Sequence, residues 1–198
     1  MEKILVIATF NPHKLSEIRA ILPGLPAALK ALSSFPGAAA AEEDSPSLEG
    51  NALKKALAAA RFTGLPALAD DTGLEVDALG GAPGVRSARY AGEKASYAAN
   101  NSKLLAALAG LGPERRAARF ACVTALALPS GETRTSRGTL EGRITAALRG
   151  ANGFGYDPLF EVGAGPRTLA EFSEEEKNAV SHRARALRGL LPALLKLF

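Results

Sequence analysis

Two short segments of the sequence carry groups that can recognise a flat, anionic ligand. Residues 154–157 read Phe-Gly-Tyr-Asp, and the aromatic ring of Phe154 has a glycine on either side. Lys177, His182 and Arg183 lie within seven residues of one another further along the chain. An aromatic ring offers a stacking face, and the cations and the imidazole offer hydrogen-bond donors to carbonyl and phosphate oxygens. This combination predicts a nucleotide-binding site.

Each of these groups also has a structural interpretation when it is taken alone. A loop phenylalanine can pack into the core, Tyr156 can line either a site or the core, and Asp157 before a proline can end a turn. Cations near the start of a helix often form a solvated face. Glycine neighbours favour the binding interpretation for Phe154, because they let the backbone bend and let a flat ligand approach closely.

Acidic residues form a second candidate cluster. Asp70 ends a predicted short strand at residues 67–70 and is followed directly by Asp71, while Glu42 and Glu43 lie in a polar loop. Adjacent aspartates repel each other, and a divalent cation would relieve the repulsion. Mg²⁺ takes one or two carboxylates and completes its shell with water and substrate phosphate. The alternative is a turn with exposed acids.

A third candidate is the loop of residues 9–14, between a predicted strand and a predicted helix. Its backbone amides, the Thr9 hydroxyl, the Asn11 amide and the Lys14 ammonium are suited to a phosphate chain at the helix N-terminus. The loop is not a P-loop, because the pattern G-x-x-x-x-G-K-[ST] is absent. The alternative is that Asn11 and Pro12 only initiate the helix.

The hydrophobic pattern predicts an α/β fold that places these loops beside strands. Strands are predicted at 3–9, 67–70, 74–78, 118–128 and 132–140, with the last continuing through 138–144. Helices are predicted at 15–22, 51–62, 96–109 and from a capping box at 173–176 toward the C-terminus. A hairpin within an α/β pattern implies a mixed sheet, and ligands of such sheets bind at the carboxyl ends of strands.

Composition limits the classes of function. A chain of 198 residues with 47% apolar and 22% charged residues fits one globular domain. Cys122 is the only cysteine, so an intrachain disulfide is excluded, and two histidines without metal-type spacing argue against zinc. No apolar run reaches the length of a membrane span, so we expect a cytoplasmic protein with no membrane partner. The net charge of +4 comes without a long basic run and does not indicate nucleic-acid binding.

Several segments, in order and over nearly the whole chain, resemble the inosine triphosphate pyrophosphatase family, also called Ham1 or RdgB-like noncanonical purine nucleotide pyrophosphatases. Residues 9–14 resemble its T-x-N-x-x-K opening, 49–56 its E-x-N-A-x-x-K-A segment, 69–74 its A-D-D-[ST]-G-L strand and 83–90 its P-G-[VI]-x-S-A-R-[YF] loop. Residues 153–158 and 181–183 complete the set. In this chain Phe10 stands where a small residue is common, and Thr72 replaces a frequent serine.

The resemblance implies a fold and a reaction. The implied fold is an elongated mixed β-sheet flanked by helices in two lobes with a nucleotide cleft between them, an ITPase/Maf-like fold in which residues 1–198 form a single domain. The chain would be a homodimer. With Mg²⁺ it would hydrolyse ITP, dITP, XTP and dXTP to the monophosphate and pyrophosphate, and so prevent their incorporation into DNA and RNA.

The resemblance also implies residue roles. Asp71 would be the general base, and Glu43 and Asp71 would hold the metal. The ring of Phe154 would stack on the base. The implied substrate contacts are Thr9, Phe10, Asn11, Pro12, His13, Lys14, Thr72, Phe154, Gly155, Tyr156, Asp157, Lys177, His182 and Arg183. Lys14 would serve the phosphates, and the last three residues would contact base carbonyls. Which of Asp70 and Asp71 binds metal stays open.

Two other functions remain possible on the sequence. One is a pyrophosphatase of related fold that acts on pyrimidine or modified nucleotides, as Maf-like proteins do. The group formed by Lys177, His182 and Arg183 favours 6-oxo purines instead. The other is a non-catalytic nucleotide- or nucleic-acid-binding module. The acidic cluster argues against a nucleic-acid groove, because phosphate contacts dominate affinity there.

Overall fold

The computed structural model describes residues 2–163 and 165–198, which form strands and helices in alternation. The strands are β1 (Ile4–Ile7), β2 (Ala28–Ala31), β3 (Ala67–Val76), β4 (Pro83–Gly84), β5 (Ala117–Ala127), β6 (Thr133–Ile144) and β7 (Phe160–Val162). The α-helices are α1 (Pro12–Ile21), α2 (Leu48–Thr63), α3 (Tyr97–Ala107), α4 (Glu174–Val180) and α5 (His182–Leu197). None of the helices within these ranges is both long and apolar enough to cross a bilayer.

The strands form one seven-stranded mixed sheet in the order β2-β1-β3-β5-β6-β7, with β4 paired to β3. β1 runs parallel to both β2 and β3, whereas the β3–β4 and β6–β7 pairs are antiparallel. The predicted mixed α/β sheet is therefore confirmed. The predicted hairpin corresponds to β5 and β6.

The chain divides into two compact units. The first consists of the described part of Met1–Asp71 with Cys122–Gly138 and Arg183–Phe198, and the second of Thr72–Ala121 with the described part of Thr139–His182. The core of the first unit is aliphatic and includes Leu5, Ile7, Ile18, Leu68, Leu126 and Leu187. The core of the second unit includes Leu74, Leu104, Phe120, Tyr156, Leu159 and Phe160.

Local signals in the sequence set the ends of the helices that carry candidate residues. α1 starts at Pro12, whose missing N–H is tolerated in the first turn, after Asn11 as N-cap. α2 starts after Ser47, whose hydroxyl accepts a hydrogen bond from the Gly50 amide. It ends at Gly64, whose φ of 68° is the left-handed conformation that glycine adopts at low cost.

The predicted strands at 67–70 and 74–78 were wrong as separate elements, because residues 67–76 form the continuous strand β3. Gly73 explains the continuity. A Cβ atom at this position would lie 2.6 Å from the carbonyl oxygen of Gly84, so only glycine lets β4 pair this closely. Asp70 and Asp71 therefore lie inside a strand rather than in a turn after it.

The predicted single C-terminal helix was also wrong. Ser181 is extended, with ψ of 155°, and separates α4 from α5. Lys177 consequently belongs to the second unit, while Arg183 belongs to the first. The short strands β2, β4 and β7 were not predicted, because they have two to four residues and, unlike β1, do not lie in a longer aliphatic run.

Candidate active site

Asp70 on β3 is buried in the first unit and is compensated by two cations. Its Oδ2 atom lies 3.0 Å from Lys14 Nζ and accepts hydrogen bonds from Arg183 Nη2 at 3.1 Å and Nε at 3.2 Å. Burial alone would raise the pKa of Asp70, but the charges of Lys14 and Arg183 hold that pKa well below its usual range. Asp70 is therefore a carboxylate with its charge neutralised inside the protein.

Arg183 is held between two carboxylates rather than exposed at the start of a helix face. Only 1% of the residue is exposed, and its guanidinium donates to both Asp70 and Glu17. Burial would lower the pKa of Arg183, but the charges of these two carboxylates raise it. The sequence predicted a contact between Arg183 and the base. In the structure the Arg183 guanidinium donates to Asp70 and Glu17. The contact with Glu17 on α1 was not predicted.

Asp71, the next residue on β3, is held by two donors from one side of α2. Asn51 Nδ2 donates to Asp71 Oδ2 at 3.2 Å, and Lys55 Nζ donates to Asp71 Oδ1 at 2.9 Å. Residues four apart lie on the same helix face, which is why both reach the same carboxylate. Burial raises the pKa of Asp71, and the Lys55 ammonium offsets only part of this effect. Of the two aspartates, Asp71 is the one whose pKa is raised.

Asn51 and Lys55 are the residues of this cluster that the sequence analysis left without a role. The signal was present, since both stand in the segment that resembles E-x-N-A-x-x-K-A, and an asparagine in an alanine-rich helix is conspicuous. Asn51 is fully buried, and its Oδ1 accepts from the Ser45 amide at 2.9 Å. It thereby joins the acidic loop to Asp71.

Glu43 completes a pair of carboxylates around one ammonium group. Lys55 Nζ lies 2.8 Å from Glu43 Oε1 and 2.9 Å from Asp71 Oδ1. Burial would lower the pKa of Lys55, but these carboxylates and Asp70 raise it, so the group stays charged. Glu42, by contrast, is exposed.

This carboxylate pair fits the donor set of a magnesium site. Oxygen ligands from one or two carboxylates are what Mg²⁺ takes from proteins, the rest of its octahedron being water and phosphate. Two carboxylates against the single positive charge of Lys55 leave a net negative charge in this group, which a divalent cation would offset. Among residues 2–163 and 165–198, no three or more His, Cys, Asp or Glu side chains are grouped so that they could by themselves hold a metal ion.

The loop of residues 9–14 is organised by its own side chains. Asn11 Oδ1 accepts from the amides of His13 at 2.9 Å and Lys14 at 3.4 Å, and Thr9 Oγ1 accepts from the Asn11 amide at 3.2 Å. Asn11 thus caps the helix, which both interpretations of this loop allow. Phe10 is 46% exposed, and the Lys14 ammonium is directed to Asp70.

In the second unit, Phe154 lies in a loop that is fixed from both sides. Its neighbours Gly153 and Gly155 have φ of 71° and 64°, a conformation that other residues rarely adopt. The Phe154 amide donates to Asp157 Oδ2 at 2.9 Å. Lys177 Nζ contacts the same oxygen at 2.5 Å and stands 4.7 Å from the centre of the Phe154 ring. The structure therefore brings Phe154, Asp157 and Lys177 together.

Other predicted contact residues of the second unit are buried. The imidazole of His182 stacks on Phe120, with ring centres 4.6 Å apart and planes 14° apart. Tyr156 is a core residue whose hydroxyl donates to the Ser87 carbonyl at 2.8 Å, and burial raises its pKa. Thr72, the first residue of this unit, is half-buried.

Comparison with known proteins identifies the fold and the family. A protein of Geobacter sulfurreducens named dITP/XTP pyrophosphatase is 56% identical over 192 residues, covering 97% of this chain and 94% of that protein. One of the same name from Desulforamulus reducens is 50% identical over 194 residues, covering 98% and 96%.

Solved structures agree with this result. The chain is similar to a HAM1 protein from Coxiella burnetii, with a TM-score of 0.88, 42% identity and coverage of 98% and 99%. It is also similar to the Ham1 protein of Staphylococcus aureus, with a TM-score of 0.85, 41% identity and 98% coverage of both chains. The mixed α/β fold is that of a Ham1-type protein. The Ham1 family profile matches residues 5–193, and the chain belongs to the Ham1 family.

Proposed function

We propose that this chain is a nucleoside triphosphate pyrophosphatase that hydrolyses noncanonical purine nucleotides, ITP, dITP, XTP and dXTP, to the monophosphate and pyrophosphate. Membership in the Ham1 family and relatives named dITP/XTP pyrophosphatase support the activity. The observation that carries the mechanism is the carboxylate of Asp71, buried, raised in pKa and oriented by Asn51 and Lys55.

Asp71 is the proposed general base. A carboxylate whose pKa is raised toward neutrality is a better proton acceptor, and two hydrogen bonds restrict its rotation. It would accept a proton from the water that attacks the α-phosphorus, with pyrophosphate leaving. Phosphoryl transfer of this kind depends mostly on positioning and on neutralisation of charge.

Glu43 and Asp71 are the proposed ligands of Mg²⁺. When bound, the ion would offset the charge of the phosphates. Lys14 and Lys55 supply further positive charge in the same unit, each held beside a carboxylate. For Arg183 we propose a positioning role, because its guanidinium fixes the Asp70 carboxylate next to Asp71.

Phe154 is the proposed stacking surface for the base, with Lys177 as a donor to the 6-oxo group. The buried ammonium of Lys177 beside the ring favours a carbonyl acceptor and disfavours the 6-amino group of adenine. An unsatisfied buried donor costs about 1–3 kcal/mol, and several in one site add to the discrimination. His182 and Asp157 are further proposed contacts.

The remaining assignments are also proposals. The proposed phosphate loop contains Thr9, Phe10, Asn11, Pro12 and His13. Polar groups of this loop that its internal hydrogen bonds do not use would contact the phosphates. Thr72, Gly155 and Tyr156 are assigned by resemblance alone. We further propose that the protein is a cytoplasmic homodimer and that residues 1–198 form one domain. Its hydrolysis of noncanonical nucleotides would remove them from the nucleotide pool.

The test is a panel of ITP, XTP, GTP, ATP and a pyrimidine triphosphate with Mg²⁺ and identification of products. We expect turnover of ITP and XTP with release of pyrophosphate. Stepwise release of orthophosphate would contradict attack at the α-phosphorus. Preference for a pyrimidine triphosphate would instead favour the Maf-like alternative.

A further inference from the structure

Helix α3 presents two residues to the loop that carries Phe154. Tyr97 is the first residue of the helix, and its ring lies 6.1 Å from the Phe154 ring, centre to centre, at an interplanar angle of 40°. The Tyr97 residue is 44% exposed. Ser96 caps the helix by accepting from the Ala99 amide at 3.1 Å, so the position of Tyr97 is fixed by the helix start.

Asn101 lies one turn further along the same face of α3. It is buried, and its Nδ2 donates to the carbonyl oxygen of Gly155 at 3.0 Å. Its Oδ1 atom is buried without a hydrogen-bond partner among residues 2–163 and 165–198. Burying the Oδ1 atom without a partner costs free energy. The hydrogen bond from Nδ2 to the Gly155 carbonyl is the interaction that Asn101 makes with the Phe154 loop in return.

The Phe154 loop needs such external support. Gly153 and Gly155 both adopt positive φ, and because glycine has no Cβ, this segment of backbone has more conformational freedom than a loop of ordinary residues. Asp157 holds the loop on one side through the Phe154 amide, and Asn101 holds it on the other through the Gly155 carbonyl. Tyr97 then contacts the ring between these two anchors.

We propose that Tyr97 and Asn101 are positioning residues that fix the angle of the Phe154 ring, and that they thereby set the affinity for the nucleobase without contacting the phosphates. Asn101 acts through the backbone of the loop, and Tyr97 acts through the tilted contact of the two rings. This inference rests on the proposed function, in which Phe154 stacks on the base.

The test compares Tyr97→Ala, Tyr97→Phe, Asn101→Ala and Asn101→Asp with Ser102→Ala, an exposed position on the same helix. For each variant we would measure kcat and KM for ITP and the inhibition constant of inorganic triphosphate, which has no base. We expect Tyr97→Ala and both Asn101 variants to raise KM roughly two- to tenfold, the range of an aromatic contact. We expect kcat and the inhibition constant to stay within about twofold of wild type.

Two comparisons separate positioning from a general structural effect. Tyr97→Phe keeps the ring contact and is expected to restore the wild-type KM, as is Ser102→Ala. In a Phe154→Ala background, Tyr97→Ala is expected to have no further effect. The proposal would be overturned if Tyr97→Ala raised KM as much in that background as in the wild-type protein. It would also be overturned if the inhibition constant of inorganic triphosphate rose together with KM.

The outcome also distinguishes this inference from the proposed function. A wild-type protein inactive on ITP, or a Phe154→Ala variant with unchanged KM, would reject base stacking itself. If Phe154→Ala raises the KM for ITP but Tyr97→Ala and Asn101→Asp leave it unchanged, only the positioning role is rejected. Tyr97 is exposed, so loss of folding in the Asn101 variants leaves the test intact.

Discussion

Asn51 Nδ2 donates a hydrogen bond to Asp71 Oδ2 across 3.2 Å in the interior of the first unit. The amide carries no charge, so it orients the carboxylate through a hydrogen bond without adding the Coulombic attraction that a cation supplies. The ionic partner, Lys55, contacts the other oxygen. Both residues orient the carboxylate, but only Lys55 supplies charge, so mutation of Asn51 and of Lys55 can separate the two contributions.

Asp71→Asn is expected to remove turnover while leaving nucleotide binding largely intact. The amide keeps the shape of the carboxylate but cannot accept the proton, and general-base catalysis contributes about 10²–10⁴-fold. Steady-state kinetics and equilibrium binding of ITP check this. Asp77→Asn, at an exposed aspartate beside Arg119, is the matched control. Turnover within twofold of wild type for Asp71→Asn would remove its assigned role.

Glu43→Gln is expected to raise the Mg²⁺ concentration needed for half-maximal activity. The amide is a weaker ligand for a hard cation than the carboxylate. A titration of activity with Mg²⁺ measures the shift, and a chelator should abolish activity in both proteins. The adjacent Glu42→Gln is the control, because Glu42 is exposed and outside the carboxylate pair. Identical magnesium titrations for the two variants would contradict the metal assignment.

Phe154→Ala is expected to weaken ITP binding by about 1–3 kcal/mol, the scale of base–aromatic stacking. KM and binding affinity for ITP report the loss, whereas inhibition by inorganic triphosphate should not change. Phe62→Ala removes an exposed phenylalanine of the first unit and serves as the control. If both variants bind ITP as tightly as wild type, Phe154 is not a stacking surface.

Arg183→Met is expected to destabilise the protein by about 3–5 kcal/mol, because it leaves the buried Asp70 carboxylate, with the half-buried Glu17 nearby, with too little positive charge. Denaturant unfolding measures the change. Arg185→Met, on an exposed neighbouring position of α5, is the control. An Arg183→Met protein of wild-type stability with altered base preference would support the base contact expected from sequence instead.

The depressed pKa of Asp70 has a consequence for acid stability. A carboxyl group whose pKa is lower folded than unfolded contributes stability above its unfolded pKa, about 3.9, and loses it as pH falls through the folded value. We expect the free energy of unfolding of wild type to decline on acidification below about pH 5. Asp70→Asn should decline less steeply over the same range, and equal slopes would show that Asp70 carries no such linkage.

Much of the fold was predictable because its signals are local. β1 is an apolar run, α1 and α2 begin at capping residues, and the turn at Pro129 to Gly131 marks the β5–β6 hairpin. β3 was misjudged because the packing of Gly73 on Gly84 is set by a partner distant in sequence. The break at Ser181 was missed because a serine between two amphipathic segments does not by itself end a helix.

The sequence proposed a set of candidate site residues, but it could not predict the contacts among them. Motif resemblance selected Glu43, Asp71, Phe154 and Lys177, and the structure places the first two around Lys55 and the last two against each other. The partner of Arg183 depended on tertiary packing. Charge alone does not tell whether a guanidinium faces a ligand or a buried carboxylate.

The spacing within α2 makes the contacts of Asn51 and Lys55 with Asp71 sensitive to insertions and deletions. Asn51 and Lys55 reach the two oxygens of Asp71 because they are four positions apart. Adding or removing one residue between them would rotate one donor by roughly 100° around the helix axis. Substitutions at exposed positions of this helix, such as Lys54 and Ala58, leave that spacing intact. The distance along the chain between the two donors, by contrast, tolerates no change in length.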